Sequence, residues 1–200
     1  MLYKAYRVHG KILKEMQCQT GIIVPVPMAE STVAAIRGEY DPAAKLGVPA
    51  HITLLFPWLP LEEAIKELPN LCKMLGDFEA FHFSLSDIGT FDRCVYLRPD
   101  PMEPFVEMTA HIAQRWPTHP PYGNAFSDII PHLTLGDELE RELVDRLAAT
   151  EISLPLQAIA SEAWLITSDE SGYWRKSASI SFRTHTQHQS TTRWITKDGF

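Results

Sequence analysis

A chain of 200 residues, 45% hydrophobic and 22% charged, has room for one well-packed domain or for two small lobes around a shared core. No apolar run reaches the roughly 18 residues that cross a bilayer, and the opening MLYKAYRVHGKILKEM is basic and amphipathic without a signal peptide's apolar block, so a cytoplasmic protein with no membrane partner is expected. A formal net charge of −7 argues against coating long nucleic acid, which needs many cations set against phosphates, and leaves room for a small anionic ligand in a local site.

Residues 1–18 read as an N-terminal extension carrying Lys4, Arg7, Lys11 and Lys14. TGIIVPVP (20–27) has the β-branched density of a buried strand, with Pro25 and Pro27 placing its end near a sheet edge. A helix is expected near 28–39, then the loop YDPAAKLGVP, then a strand beginning at His51. In that strand His51, Thr53 and Leu55 fall on one face and Ile52, Leu54 and Phe56 on the other. PLEEAIKELPNLCKML repeats Leu61, Ile65, Leu68, Cys72 and Leu75 at helical steps, with Pro69 expected to bend or split the helix. AFHFSLSDIGTF alternates Phe81, Phe83 and Leu85 with polar residues and reads as a strand with one apolar face.

The second half repeats this order. CVYLRP (94–99) is a short strand, and EPFVEMTAHIAQRW sets Phe105, Met108, Ile112 and Trp116 at helical spacing. The loop PTHPPYGNAFSDII leads to PHLTLG, after which Asp137 reads as an N-cap with Glu140 in the third helical position and a Leu139, Leu143, Leu147 stripe. Strands follow at LPLQAIA and EAWLIT, and the turn SDESGY leads into WRKSASISF. Each half runs strand, helix, loop, His-x-Thr-Leu strand, helix, strand, which reads as an internal duplication. The expected organisation is one bilobal domain over 19–183, with lobe-forming repeats at about 19–91 and 93–160, a hairpin at 161–183 and a tail at 184–200.

Alone, His51 fits a hydrogen-bonded structural residue of a strand. Its pairing with His132 changes that reading. Both His-x-Thr-Leu strings follow a proline-bearing loop, open a short apolar strand and precede a helix, so related lobes facing one another would set two imidazoles around one substrate. HFSL (82–85) and HQS (188–190) lack this setting. His82 reads as the outer face of a sheet, and His9, His111 and His119 lack partners by spacing. The chain has no H-E-x-x-H, H-x-H or Cys-His cluster, so no metal or other cofactor is expected, and no G-x-S-x-G elbow marks a covalent nucleophile. Cys18, Cys72 and Cys94 are expected to be buried thiols.

HITL (51–54) and HLTL (132–135), with IGTF (88–91) and LITSDESGYW (165–174) as lesser features, make the chain resemble the 2H phosphoesterase superfamily over about residues 19–183. The likeness is strongest to its bacterial 2'-5' RNA ligase-like cyclic phosphodiesterases. The resemblance implies an α+β fold of two pseudo-symmetric lobes, each an antiparallel sheet with outer helices, around a central V-shaped cleft with both motifs on its floor. Many members carry a basic or aromatic residue just before the first motif, where this chain has Ala50, and Pro131 precedes the second. Phosphate charge must then be met elsewhere. The resemblance offers Arg175 for it, Tyr173 or Trp174 as a base-stacking platform, and Phe126 as a residue lining the cleft.

Chemistry accounts for the paired motif. Opening a 2',3'-cyclic phosphate takes a base to activate water and an acid to protonate the departing ribose oxygen, and imidazole does both near neutral pH. Thr53 and Thr134, two residues along on the same strand face, would donate to the nonbridging oxygens as charge grows. Run in reverse with a 5'-hydroxyl in place of water, the same groups make a 2'-5' linkage. The expectation is a monomeric, metal-independent hydrolase acting on a short RNA end or a nucleotide cyclic phosphate. The alternative is a binding module that keeps the cleft for nucleotides or RNA ends without turnover.

Overall fold

The computed structural model describes residues 18–124 and 129–184. Almost all of the expected N-terminal extension and C-terminal tail, together with Phe126 and His188, lies outside the described residues.

Two four-stranded antiparallel sheets form the frame. The first joins β1 (Thr20–Pro25), β2 (His51–Leu55), β7 (Glu162–Ser168) and β8 (Trp174–Ser181) in the order β2-β1-β7-β8. The second joins β3 (Phe81–Thr90), β4 (Val95–Asp100), β5 (Leu133–Gly136) and β6 (Leu156–Ala160) in the order β5-β4-β3-β6. Among the described residues five α-helices accompany them: α1 (Glu30–Tyr40), α2 (Pro42–Lys45), α3 (Leu61–Gly76), α4 (Glu103–Arg115) and α5 (Arg141–Ala148). This is the expected α+β architecture. The lobes, however, are not the two sequence repeats. Strand β3 of the first repeat crosses into the second sheet, and the β7–β8 hairpin completes the first. The reason is in β3, where Phe83 and Leu85 find their apolar partners beside β4 and β6.

One apolar core runs through both lobes, with Ile52 and Leu54 from β2, Leu133 and Leu135 from β5, and Phe105, Met108 and Ile112 from α4 all in the same cluster. Helix α1 lies against β5 and helix α4 against β2, so the helix of each repeat holds the His-bearing strand of the other. Strands β2 and β5 also touch. Burying Ile52 and Leu54 is worth roughly 1.5–3 kcal/mol per side chain, and a one-residue slip would trade them for His51 and Thr53. The apolar half of each strand therefore sets the direction of its polar half.

Several local expectations are corrected. Strand β1 is interior to its sheet and tolerates Pro25 because that residue is the last of the strand. Helix α3 runs unbroken through Pro69, whose ring deprives only the Ile65 carbonyl of its partner, on a turn where Ile65 is 60% exposed and water can substitute. Ile65 thus lies off the buried face, which carries Ala64, Leu71 and Leu75. Asp137 does not cap α5. Its N–H donates to Tyr40 O, Leu139 N donates to Arg93 O, and Glu138 adopts φ 58°, so these residues belong to a loop and the helix begins at Arg141. Of the cysteines, Cys94 is buried, while Cys18 and Cys72 are half-buried. Among the described residues no helix is long and apolar enough to cross a membrane.

Candidate active site

His51 opens β2, half-buried, with its side chain away from Ile52 and Leu54. Its Nδ1 lies 2.7 Å from Pro49 O and its Nε2 3.1 Å from Thr53 Oγ1. A carbonyl only accepts, so Nδ1 carries the proton and Nε2 presents a lone pair to which the Thr53 hydroxyl donates. His132, immediately before β5, repeats the arrangement. Its Nδ1 lies 2.7 Å from Ile130 O, which again leaves Nε2 as the working nitrogen. In each motif the carbonyl two residues back sets the tautomer and aims the ring.

Helix α1 builds the support for His51. Arg37 and Asp41, both 2% exposed, form an ion pair at 2.7 Å, and the Arg37 guanidinium also donates to Val48 O at 3.2 Å. Glu30 Oε1 accepts from Ala50 N at 2.5 Å. The backbone is therefore gripped on either side of Pro49, whose carbonyl holds the imidazole. Burial, and after it the Arg37 charge, with a smaller push from the His132 charge, hold the His51 pKa down at about 3 against the opposing Pro49 hydrogen bond. The two imidazoles are thus within electrostatic reach of each other. Burial also lowers His132, but the Ile130 carbonyl and the Asp137 carboxylate pull the other way.

Aromatic rings surround His132. Phe91 meets it edge-on with centroids 5.2 Å apart, Tyr96 lies at 5.2 Å, and Phe91 stacks on Tyr96 at 4.4 Å. Tyr96 is the register partner of both Thr134 and Gly89. A Cβ on Gly89 would come within 2.4 Å of the Tyr96 ring, so glycine is required for the ring to lie where it does. Phe91 is 37% exposed and Ile130 40% exposed, which gives the rim beside His132 an apolar edge. Behind Thr134, burial pushes the Cys94 thiol up to about 12, so it stays a neutral thiol at physiological pH.

Of the residues expected at the site, the structure brings His51, Thr53, His132 and Thr134 together on facing edge strands. Tyr173, Trp174 and Arg175 lie at the opposite edge of the first sheet, three strands from β2, or about 14 Å at normal strand spacing. The Trp174 ring is 4% exposed and packs edge-on against Phe56, so it offers no face for stacking a base. Tyr173 is 41% exposed and lies over Gly47, while Arg175 stacks on Tyr173 at 5.1 Å and pairs with Asp169. His82 is exposed on β3, on the side away from Phe83 and Leu85. Sequence reasoning missed Phe91, Tyr96, Arg37 and Glu30. Phe91 ends the IGTF string, and the glycine within it was the signal of a close approach. Arg37 and Glu30 gave none, since charged residues on a predicted helix read as solvated.

The sequence profile of the 2'-5' RNA ligase superfamily matches residues 24–172. A search of curated proteins gives no match. Among solved structures, Escherichia coli LigT complexed with 3'-AMP is similar with a TM-score of 0.59 and 16% identity, over 83% of this chain and 98% of that one. LigT in apo form gives 0.55 and 19%, over 83% and 98%. The Thermus thermophilus protein TT0787 gives 0.57 and 18%, over 84% and 99%. At these identities the likeness carries the fold, and the profile, which spans both His-x-Thr motifs, carries the family: the chain belongs to the 2'-5' RNA ligase superfamily, among the 2H phosphoesterases.

Proposed function

We propose that this chain opens 2',3'-cyclic phosphates of RNA ends or nucleotides by acid and base catalysis from His51 and His132, without a metal. The observation that carries the reading is the repeated tautomer lock. Both Nδ1 atoms are committed to a carbonyl at 2.7 Å, so both Nε2 atoms are left to move protons, each with a threonine two residues along on its strand. One neutral Nε2 takes a proton from water as its oxygen attacks phosphorus. The other, protonated, gives its proton to the ribose oxygen that leaves. Thr53 now donates to His51 Nε2; with a phosphate bound, its hydroxyl and that of Thr134 are placed to donate to the nonbridging oxygens.

Nucleotide complexes of LigT, with 3'-AMP and with ATP, support a nucleotide in this cleft, and the exposed Phe91 and Ile130 supply apolar surface for a base. With a 5'-hydroxyl in place of water, the same base and acid would join it to the cyclic phosphate as a 2'-5' linkage, the 3'-oxygen leaving with a proton from the acid. The test is turnover of nucleoside 2',3'-cyclic phosphates in EDTA, with the position of the product phosphate read by chromatography. A single phosphomonoester isomer is expected. Binding without turnover would leave the cleft as a nucleotide-recognition module, and turnover abolished by EDTA would overturn the metal-independent mechanism.

A further inference from the structure

A pocket of about 230 Å3 opens between residues 47–49 and the β7–β8 hairpin, with Pro49, Trp164, Ile166, Arg175 and Lys176 among its lining residues. It shares Pro49 with the support of His51. It also lies on the same face of the first sheet as the catalytic motif. Ile23 is the register partner of both Thr53 and Trp164, so the three side chains form one cross-strand row, and two strand spacings put Trp164 about 10 Å from Thr53.

The pocket carries two cations on a chain of net charge −7. Lys176 Nζ sits 4.1 Å from the Trp164 ring centroid and 3.9 Å from Glu162 Oε1, and Arg175 lies 3.7 Å from Asp169 Oδ2. Both carboxylate separations are too long for hydrogen bonds. Both Glu162 oxygens are occupied elsewhere, accepting from Trp164 Nε1 at 2.8 Å and from the Ser179 hydroxyl, whereas Asp169 accepts from Ser171 N at 2.9 Å and Tyr173 N at 3.1 Å through Oδ1 and turns Oδ2 to Arg175. The Lys176 ammonium donors are therefore left for an anion, with the Arg175 charge nearby and apolar walls from Ile166, Val48 and Trp174 that limit competition from water.

We propose that this pocket is a second phosphate subsite, which takes the phosphate ester next to the cyclic one. The preferred substrate then carries a further phosphate on the 5' side, as an internucleotide phosphodiester or as a nucleotide 5'-phosphate. The inference rests on the phosphoesterase reading and extends it to substrate class. Four substrates test it: uridine 2',3'-cyclic phosphate, its 5'-phosphorylated form, the dinucleotide ending in a cyclic phosphate, and that dinucleotide with a neutral methylphosphonate link. With the wild-type protein the phosphodiester should raise kcat/KM about tenfold over the uridine compound, chiefly through KM, and the methylphosphonate should not. Lys176→Gln and Arg175→Gln should each collapse that ratio, Lys176→Arg should keep most of it, and added salt should erode it. A gain from the 5'-phosphate alone would assign the subsite to any second phosphate, and a gain from the dinucleotide alone would assign it to an RNA chain. A wild-type ratio near one, or a ratio indifferent to both Gln variants, would overturn the proposal. If no cyclic phosphate is turned over, the catalytic reading fails on its own. The subsite is then judged by calorimetry with the dinucleotide 3'-phosphate, which should bind more tightly than its methylphosphonate form in wild type and equally in Lys176→Gln.

Discussion

His51 and His132 share one backbone device, a ring Nδ1 tied at 2.7 Å to the carbonyl two residues back, but the groups behind the two rings differ. Behind His51 stands a buried cation, Arg37, and burial with that charge pushes its pKa down to about 3. His132 instead has two aromatic rings against it and the Asp137 carboxylate drawing its pKa upward against burial. An imidazolium is stabilised by a nearby carboxylate and penalised by a guanidinium. Equal geometry thus comes with unequal fields: a guanidinium opposes a proton on His51 and a carboxylate favours one on His132, while burial lowers both rings. If the proposed function holds, these fields favour His51 as the base and His132 as the acid in the hydrolytic direction, a division that the pH profile tests.

The largest effect tests whether the two rings work as one unit. His51→Ala and His132→Ala should each lower kcat about a hundredfold or more, the usual scale for losing a general acid or base. The double variant should fall far short of the product of the two losses, because a proton relay with one end missing leaves little for the other end to add. Single-turnover rates on a cyclic nucleotide give the cycle. Full activity in the double variant would remove both residues from the mechanism.

Removing the cation behind His51 should make the two sites more alike. Arg37→Met alone strands Asp41 as a buried charge and should cost about 3–5 kcal/mol of stability, read by denaturant unfolding. Arg37→Met with Asp41→Leu replaces the pair by apolar volume and should recover much of that loss. In the paired variant the His51 resonance, followed by NMR titration, should move up from about 3 towards the ordinary histidine range, since one of its two main depressing influences is gone. An unmoved titration would mean that burial alone sets the asymmetry.

How much of this was legible in sequence depends on where each signal is written. The duplicated His-x-Thr-Leu strings, their alternation and their proline-bearing approach loops are local, and they led to the two strands that face each other. The strand exchange was not legible, because β3 reads as the last strand of the first repeat and only the tertiary pairing of Phe83 and Leu85 sends it to the second sheet. The Asp137 cap failed for a similar reason. Its sequence offers a capping box, but backbone bonds to Tyr40 and Arg93 hold residues 137–139 in a loop. Arg175 was sought as the cation nearest the reacting phosphate, yet a residue on β8 is separated from β2 by the width of the sheet.

The pH profile tests the electrostatic assignment. Both folded-state values lie below the ordinary 6.5 or so, with His51 at about 3, so above that ordinary value both rings of the free protein are neutral and no acid remains. The kcat/KM profile should therefore peak on the acid side and fall about tenfold per pH unit on the alkaline limb. The bound phosphate anion favours the protonated acid, so the alkaline limb of kcat should lie higher than that of kcat/KM. A kcat/KM profile flat through pH 8 would break the assignment. The same depressed values have a stability consequence. Below about 6.5 the unfolded chain takes up protons that the folded rings refuse, so stability is full above that pH and is lost as pH falls towards His51's value of about 3. His51→Ala should blunt that acid loss.

The threonines should have smaller effects than the imidazoles they accompany. Thr53→Ala and Thr134→Ala should each lower kcat about tenfold, as expected for one donor lost from a developing charge, while keeping the shape of the pH profile because neither hydroxyl titrates. Thr53 should be the more sensitive of the two to Ser replacement in its effect on His51. Its hydroxyl lies 3.1 Å from Nε2, and a serine with freer χ1 holds that contact less well. A shift of the profile in Thr134→Ala matching that in Thr53→Ala would show the two hydroxyls to be equivalent.

The smallest effect belongs to the aromatic edge that only the second site has. Phe91 is 37% exposed, stacks on Tyr96 and meets His132 edge-on, so it has one face against the protein and one rim open to a ligand. Phe91→Leu keeps apolar volume but removes the ring, and should raise KM a few-fold for a nucleoside cyclic phosphate, in keeping with about 1–3 kcal/mol at most for stacking one base. It should leave kcat within about twofold. A cyclic phosphate of ribose without a base separates the two roles of the ring: if Phe91 touches the base, the variant and the wild type should treat the baseless substrate alike. If Phe91 acts instead by holding the His132 ring and its proton, kcat should fall for both substrates and the alkaline limb should move to lower pH. Gly89→Ala reaches the same ring pair from below. It forces Tyr96 away from its seat, and should reproduce the Phe91→Leu phenotype only if the stacked pair, and not the exposed ring alone, orients His132.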